Sequence, residues 1–358
     1  MAGQKTQTVT PNIGGLIEAV QRNCHIADAR HARDMTLCNY LLEMREFFRW
    51  EHGLALDVAP PRQEVAHWLT EREAFWEAIA DEDFGAVPVA AARFEPFAVA
   101  AVNRAVQPLG LVYGAGIGRS GRAHFFLGRL ASSEDIDGLH VVVSACEYAR
   151  DLAAIPAALQ GDTVVVRREA LRQWLWEKAE TWGVKRAPGP MRRALEAQGY
   201  FDDGPAALER MAAAEIATLV LHERGEHAAG RILGPAWEEM LAGLRQRRAE
   251  VLARAVRDHW ADCLVTLPAL IERGAWASLH FWFANLDGMR LLLFPRLAAA
   301  GETWAASGDP AAVLAAAAAG AEHWRRVAER LLDLHRRLGA AADQEIAALT
   351  QDTSAVAL

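Results

Sequence analysis

The first hundred residues carry apolar positions at helical intervals. Over residues 28–53 these positions fall along one side of a helix, with Asp28 placed as an N-cap and Gly53 as a stop. Residues 63–79 and 96–106 show the same periodicity and are set off by proline-bearing connectors. The pattern therefore predicts three amphipathic helices in this part of the chain.

Beyond residue 109 the apolar residues form short runs instead. Four runs are β-branched or aromatic and are bounded by Gly, Ser or Asp, which is typical of strands: 111–113, 124–127, 139–143 and 163–166. The glycine-rich stretch between the first two runs leaves no room for a crossover helix, so the pattern predicts a small, largely antiparallel sheet. We expect flanking helices at 147–159 and 168–182.

After residue 190 the helical periodicity returns. Four long helices are predicted, each begun or ended by Gly or Pro: 205–228, 235–266, 275–297 and 310–349. Antiparallel helices of this length fit a bundle. The predicted fold class is thus mainly α, and α+β overall, with two domains. Residues 1–190 form a domain with helices and a small sheet, and residues 201–350 form a helical bundle.

Composition narrows the classes of function. A formal net charge of −8 over 358 residues argues against a nucleic-acid binder. The four cysteines are scattered and indicate neither a disulfide framework nor a zinc ribbon. No segment has the pattern of a signal peptide or of a membrane span. We therefore expect a cytoplasmic bacterial protein whose partner is a small molecule or another protein, with its oligomeric state left open.

Residues 219–227 are the strongest candidate for chemistry, because they place His222, Glu223 and Glu226 in an otherwise apolar helical stretch. On a helix that turns by about 100° per residue, His222 and Glu226 lie about 20° to either side of Glu215. Glu223 lies about 80° from Glu215 on the same projection. These polar groups share the apolar face of the helix. Burying a carboxylate there is costly unless it is paired, hydrogen-bonded or bound to a metal.

The pattern predicts a metal site with Glu215, His222 and Glu226 as ligands and Glu223 as general base or supporting residue. Further ligands would come from the helices that follow: Asp258, His259, Asp262 and His280. Carboxylate and imidazole ligands together suit iron, manganese or zinc, and facing helices of a bundle can assemble them. The first hypothesis is therefore a metal-dependent enzyme with hydrolytic or oxidative chemistry.

Known metal motifs do not match the segment and leave an alternative open. The zinc-protease pattern H-E-x-x-H would need His at the position of Glu226. The E-x-x-H pattern of ferritin-like proteins would need Glu at the position of Leu219. In the alternative, the helix ends near Gly225 and the cluster is a buried ion-pair network of a non-catalytic interaction protein. The sequence does not decide whether the chain is an enzyme.

Two other groups of residues carry less weight. His31, Cys38, Arg45 and His52 recur every seven residues and form a polar stripe along the first predicted helix, which fits packing as well as ligation. The glycine-rich stretch 114–121 fits a hairpin loop better than a phosphate cradle, because a strand follows it. A small-molecule pocket between the domains, lined by tryptophans and arginines, is a third hypothesis.

Two segments, 33–46 and 221–226, resemble those of an uncharacterised bacterial family, and the similarity extends over most of the chain. The resemblance implies no reaction, cofactor or catalytic residue, since none is assigned in that family. It argues against a diverged member of a familiar enzyme superfamily. The candidate residues above therefore depend on their own chemistry and not on the resemblance.

Overall fold

The computed structural model describes residues 13–118, 121–136 and 138–358, apart from the side chain of Arg33. By its internal contacts the chain divides into two compact units. The first unit comprises Met1–Ala158 and Val165–Trp174, and the second comprises Leu159–Val164 and Leu175–Leu358. No described helix is long and apolar enough to cross a membrane.

Helices dominate the described residues. Five precede or directly follow the strands: α1 (Gly14–His31), α2 (Leu37–Glu51), α3 (Arg62–Ile79), α4 (Val99–Val106) and α5 (Arg168–Lys185). Ten more follow to the end of the chain: α6 (Pro190–Ala197), α7 (Gly204–Leu233), α8 (Pro235–Gly243), α9 (Arg247–Ala261), α10 (Leu267–Glu272), α11 (Trp276–Ala284), α12 (Gly288–Leu293), α13 (Pro295–Ser307), α14 (Ala311–Leu338) and α15 (Ala342–Ala348).

The strands form two sheets. Their bounds are β1 (Val87–Val89), β2 (Ala92–Phe94), β3 (Leu111–Ile117), β4 (Ala123–Ile136), β5 (Leu139–Arg150), β6 (Ala157–Gln160) and β7 (Thr163–Arg167). β1 and β2 pair as a two-stranded antiparallel sheet, and the other five lie in the order β3-β4-β5-β7-β6. The predicted fold class, mainly α with a small antiparallel sheet, is confirmed.

The single helix predicted over residues 28–53 is wrong, because the chain forms α1 and α2 there. Thr36 has an extended backbone, and its hydroxyl accepts a hydrogen bond from the amide of Asn39 at 3.4 Å, so α2 begins with its own cap. Asp28 is a buried residue near the end of α1 and not an N-cap. The polar stripe predicted along one helix is therefore divided between two.

The predicted antiparallel sheet is confirmed, with strands longer than the apolar runs indicate. β3 pairs with β4 up to Ile117 opposite Ala123, so the described part of the glycine-rich stretch belongs to a hairpin, and residues 119–120 lie outside the described residues. β5 pairs with β4 and continues to Arg150. The helix predicted over 147–159 is consequently wrong. The charged residues at its start suggested a surface helix, but Glu147 and Arg150 are strand residues whose charges are buried in ion pairs.

The core of the first unit forms where α1 packs on β4 and β5. It includes Val20, Cys24, Tyr113, Phe125 and Leu127. The Cys24 thiol donates a hydrogen bond to the carbonyl oxygen of Phe125 at 3.2 Å, and burial raises the pKa of that thiol. Cys24 is thus a core residue, whereas Cys38 is exposed on α2.

The second unit is helical, with more and shorter helices than predicted. The helix predicted over 235–266 is interrupted at Gln246, whose extended backbone separates α8 from α9. α9 then continues through a π-helical turn, Asp262–Thr266, into α10. The helix predicted over 310–349 ends early at Gly339, which has a φ of +55° that favours glycine.

The helix predicted over 275–297 is also divided, into α11, α12 and the start of α13. Asn285 closes α11, and Pro295 occupies the first turn of α13. Three fully buried tryptophans, Trp237, Trp260 and Trp324, lie in one continuous core of this unit. Their burial accounts for much of the tryptophan content of the segment through packing alone.

Candidate metal centre

The segment with the candidate ligands lies inside a long helix. Asp203 caps α7 by accepting a hydrogen bond from the amide of Ala206 at 3.1 Å, and the helix continues to Leu233. The expectation that the helix ends near Gly225 is therefore wrong. A Cβ added at Gly225 would lie 2.5 Å from the carbonyl oxygen of Ala261, so this glycine allows the backbones of α7 and α9 to approach closely.

The π-helical turn after α9 positions a carboxylate opposite α7. A turn of this kind widens the helix and is frequent at functional sites. Its first residue, Asp262, is buried, and its Oδ1 lies 2.8 Å from Nδ1 of His222. The other oxygen, Oδ2, lies 2.5 Å from Nη2 of Arg290. Asp262 therefore fixes the orientation of the His222 ring, and with Nδ1 as the donor the ring presents Nε2 on its other side.

Two carboxylates, those of Glu226 and Asp258, lie close to the His222 ring. One ligand atom each from His222, Glu226 and Asp258 lies within 4.8 Å of the others. Nε2 of His222 is 3.5 Å from Oε1 of Glu226, whose Oε2 lies 2.7 Å from Nη2 of Arg257. Metal–ligand bonds of about 2 Å would fit a cation between atoms at this separation. We call these three residues the metal-candidate cluster.

The electrostatic environment is strongly perturbed. Burial opposes the charge on His222, but the adjacent Asp262 and Glu226 raise the pKa of this imidazole well above its usual value. Burial also opposes the charge on Glu226, yet His222 and Arg257 lower the pKa of that carboxyl to about 2. Burial and the nearby Glu226 raise the pKa of Asp258 to about 6 and that of Glu223 to about 7. The site thus holds more negative charge than it stabilises.

The formal charges of this region also show an excess of negative over positive groups. Four carboxylates belong to this region, those of Glu223, Glu226, Asp258 and Asp262. Two guanidinium groups face them, since Arg257 pairs with Glu226 and Arg290 pairs with Asp262. Among the described residues, Glu223 and Asp258 form no ion pair. With His222 protonated, as its raised pKa indicates, the region has a formal charge of −1, the difference between three positive and four negative groups. Loss of the His222 proton to a bound metal would leave a formal charge of −2.

Three predicted ligands lie outside the metal-candidate cluster. Glu215 is buried on α7 and hydrogen-bonded with Ser278 and Thr218, and burial raises its pKa to about 7. His259 stacks on Trp324 with 4.9 Å between ring centroids, and burial lowers its pKa to about 3. These residues have structural partners of their own.

The third of them, His280, lies on α11 with its ring 4.3 Å from that of Trp304, centroid to centroid. Asp262, also predicted as a ligand, contacts His222 from the opposite side and orients it. The structure therefore brings together His222, Glu226 and Asp258 from the predicted candidates. Glu223 is buried beside them and interacts electrostatically with Glu226.

The first unit contains a polar network that sequence reasoning missed. Arg122 donates to Oδ1 of Asp28 at 2.7 Å, and the amide of Leu152 donates to Oδ2 at 2.9 Å. Nδ1 of His124 lies 2.7 Å from Oδ2 of Asp151. Burial and the neighbouring Asp151 raise the pKa of Asp28, while Arg122 and the Leu152 amide oppose the rise. The partners are far apart in sequence, so only the register of the sheet against α1 reveals the network.

Comparison with known proteins identifies the family without adding a function. A family of unknown function, DUF6866, matches the chain twice: its N-terminal domain matches residues 15–167 and its C-terminal domain matches residues 172–353. No curated protein and no solved structure matches the chain. The metal-candidate cluster lies within the match to the C-terminal domain. The chain belongs to the DUF6866 family, with both of its domains present.

Proposed function

We propose that the second unit binds a divalent iron, manganese or zinc ion through His222, Glu226 and Asp258, and that the ion serves a metal-dependent enzyme activity. The observation that carries the proposal is the convergence of one imidazole and two carboxylates within 4.8 Å, contributed by two helices. One nitrogen and two oxygen ligands suit these metals. A divalent ion that displaces the proton of His222 would also neutralise the formal charge of −2 that the region then has.

The residues around the metal-candidate cluster support a functional centre. The hydrogen bond between His222 and Asp262 is the kind of outer contact that orients a metal-binding imidazole. The His222 side chain is 24% exposed and that of Glu226 is 11% exposed, so solvent reaches both side chains. A bound metal would supply Lewis-acid or redox chemistry. We assign Glu223 as the proton acceptor, because burial and Glu226 raise its pKa to about 7.

A buried ion-pair network is the second candidate, favoured by the two arginines. Arg257 contacts Glu226 at 2.7 Å and Arg290 contacts Asp262 at 2.5 Å. In this alternative the cluster would stabilise the helices of a non-catalytic interaction protein. It accounts for two of the four carboxylates but leaves Glu223 and Asp258 without a cationic partner among the described residues. The metal hypothesis accounts for the excess charge as well.

The direct test is metal analysis of untagged full-length protein purified without chelator, followed by calorimetric titration of demetallated protein with Mn²⁺, Zn²⁺ and, under anaerobic conditions, Fe²⁺. Wild-type protein should bind about one equivalent of at least one of these ions. The double variant His222→Ala/Glu226→Ala should lose that binding while retaining its helical circular dichroism spectrum.

The chain offers a matched control for this variant. His67 and Glu71 have the same spacing on α3, with 3.3 Å between Nε2 and Oε1, but their side chains are 79% and 67% exposed. The double variant His67→Ala/Glu71→Ala should therefore bind metal as the wild type does. Wild-type protein that carries none of the three metals and binds none on titration would refute the proposal and favour the ion-pair network.

A further inference from the structure

The first unit contains a cavity that is separate from the proposed metal centre. It lies among α2, the segment 54–56, the end of β5 and the start of α5. The cavity has a volume of about 120 Å³, and about 470 Å³ is free of protein atoms when the open mouth is included. Three arginines, Arg49, Arg150 and Arg172, line it together with two glutamates, Glu46 and Glu169. Their formal charges sum to +1.

Arg150 is held rigidly at the wall of this cavity and is only 1% exposed. Gln21 fixes its backbone, accepting from its amide and donating to its carbonyl, both at 3.1 Å. Its Nη1 donates to Oε1 of Gln173 at 2.9 Å and lies 3.6 Å from Oε2 of Glu147. The guanidinium carbon lies 5.5 Å from the ring centroid of Trp50, which also lines the cavity.

Two hydrogen-bond donors of the Arg150 guanidinium are without an acceptor among the described residues. Within the described part of the chain, neither Nε nor Nη2 of Arg150 has a hydrogen-bond partner, although both atoms are buried. These two nitrogens form one edge of the planar group, the edge that donates two parallel hydrogen bonds to a carboxylate or phosphate. Burying such donors without an acceptor costs about 1–3 kcal/mol each. An acceptor from outside the chain would remove that cost.

The neighbouring charges do not provide this acceptor. Nε of Arg49 donates to Oε2 of Glu46 at 3.0 Å, and Nη1 donates to the carbonyls of Ala55 and Val58. These donors of Arg49 therefore already have acceptors within the chain. An oxygen of Glu169 accepts from the backbone amide of Glu147 at 2.6 Å. A lining with a net formal charge of +1 suits a monoanion better than a dianion.

We propose that this cavity binds a small monocarboxylate, whose two oxygens accept hydrogen bonds from Nε and Nη2 of Arg150 and whose apolar part lies against Trp50. The ligand class follows from the bidentate edge, the adjacent aromatic ring and the charge of the lining. The site does not involve the metal-candidate cluster, and its occupancy is measured independently of metal content.

The test is calorimetric titration of the full-length protein with benzoate, acetate, benzamide and inorganic phosphate. Benzoate should bind most tightly, acetate more weakly, and benzamide, the uncharged isostere, at least about tenfold more weakly than benzoate. Phosphate should compete poorly, and phosphate binding tighter than either carboxylate would overturn the monocarboxylate assignment. Failure of both carboxylates to bind, or equal binding of benzoate and benzamide, would overturn the proposal.

Variants locate the binding. Arg150→Lys keeps the charge but loses the bidentate edge, so benzoate affinity should fall about tenfold or more. Ala55→Trp, at an exposed position of the cavity wall, should block benzoate even if the Arg150 variant does not fold. Arg22→Met serves as the control, since Arg22 is half exposed and pairs with Glu82 at 2.6 Å outside the cavity. Unchanged benzoate affinity in Ala55→Trp would refute binding at this cavity.

Discussion

The two units bury carboxylates in different ways. In the first unit each of three buried carboxylates has a guanidinium partner: Asp28 pairs with Arg122, Asp151 with Arg167, and Glu147 with Arg167 and Arg150. In the second unit, among the described residues, two of the four carboxylates near His222 form ion pairs and two do not. Since a buried charge needs a partner, the first arrangement is complete with respect to charge, whereas the second lacks positive charge.

This difference separates a structural network from a candidate binding site, although both contain acidic groups with perturbed pKa values. Perturbed pKa values alone occur in either kind of site. What distinguishes the second unit is that Glu223 and Asp258 lack a cation and that Asp258 converges with His222 and Glu226. Removing an arginine from the network of the first unit should therefore lower the free energy of unfolding. Removing an excess carboxylate from the second unit should leave it nearly unchanged or raise it.

The largest expected effect comes from breaking the network of the first unit. Arg167→Met removes the guanidinium that lies 2.5 Å from Glu147 and 4.0 Å from Asp151, and leaves buried negative charge behind. We expect the free energy of unfolding to fall by about 3–5 kcal/mol, measured by urea denaturation of the full chain. Arg22→Met, which removes a half-exposed pair, should cost about 0–1 kcal/mol. Equal losses in both variants would contradict the assigned network.

The next effect concerns Glu215, a buried carboxylate with hydroxyl partners instead of a cation. Burial raises its pKa from 4.5 to about 7, a difference that corresponds to about 3 kcal/mol. Because the folded protein holds this proton more tightly than the unfolded chain, the stabilisation is present below pH 4.5 and is lost as the pH rises through about 7. Glu215→Gln should remove this loss.

The measurement for Glu215 is a series of urea denaturation curves of metal-free protein between pH 4.5 and pH 8. The wild type should lose stability with rising pH relative to Glu215→Gln. Glu302→Gln alters an exposed carboxylate on α13 and should follow the wild-type curve. Parallel pH profiles for wild type and Glu215→Gln would show that the carboxyl of Glu215 titrates as it does in water.

A third prediction tests the close approach of the helices at the metal-candidate cluster. Gly225→Ala would force Cβ to within 2.5 Å of the Ala261 carbonyl oxygen and should cost about 1–3 kcal/mol in the free energy of unfolding. Gly230→Ala is the matched control on the same helix, since nothing lies within 4 Å of its added Cβ. It should stabilise the protein by about 0.5–1 kcal/mol. If both variants had a higher free energy of unfolding than the wild type, α7 and α9 would be far enough apart at Gly225 to accommodate a methyl group.

Sequence periodicity predicted the larger part of the fold because most elements bury one apolar face. It placed α3, α4 and α5 near their observed bounds, and it placed the first residues of β3, β4, β5, β7 and α7 to within one residue. It was wrong where polar groups are buried by tertiary pairing, as at Glu147 and Arg150, whose charge suggested a surface helix in place of β5. It also missed the interruptions at Thr36 and Gln246, since a helix break inside a continuous apolar pattern depends on local backbone conformation.

The candidate site was predictable in part for the same reason. Helical spacing places His222 and Glu226 on one face, and this adjacency follows from local geometry alone. That Asp258 and not His259 joins the cluster depends on how α9 packs against α7, where Gly225 allows a close approach. Glu215 was predicted as a ligand from the same helical face, but it lies two turns away with Ser278 as its partner.

The smallest change in stability is expected for Asp258→Asn, and it decides between the two readings of the second unit. Asp258 forms no ion pair among the described residues, and burial and Glu226 raise its pKa to about 6. Removing its charge should therefore leave the metal-free protein within about 1 kcal/mol of the wild type, or more stable. The same variant should lose the metal-dependent stabilisation, which for wild type at a hundredfold excess over Kd is about 2.7 kcal/mol. Asp151→Asn is the comparison: burial opposes the charge of Asp151, but His124 and Arg167 lower its pKa, so removing this charge should destabilise the first unit. If Asp258→Asn destabilises the metal-free protein as much as Asp151→Asn, both units contain structural ion networks and the case for a metal centre fails.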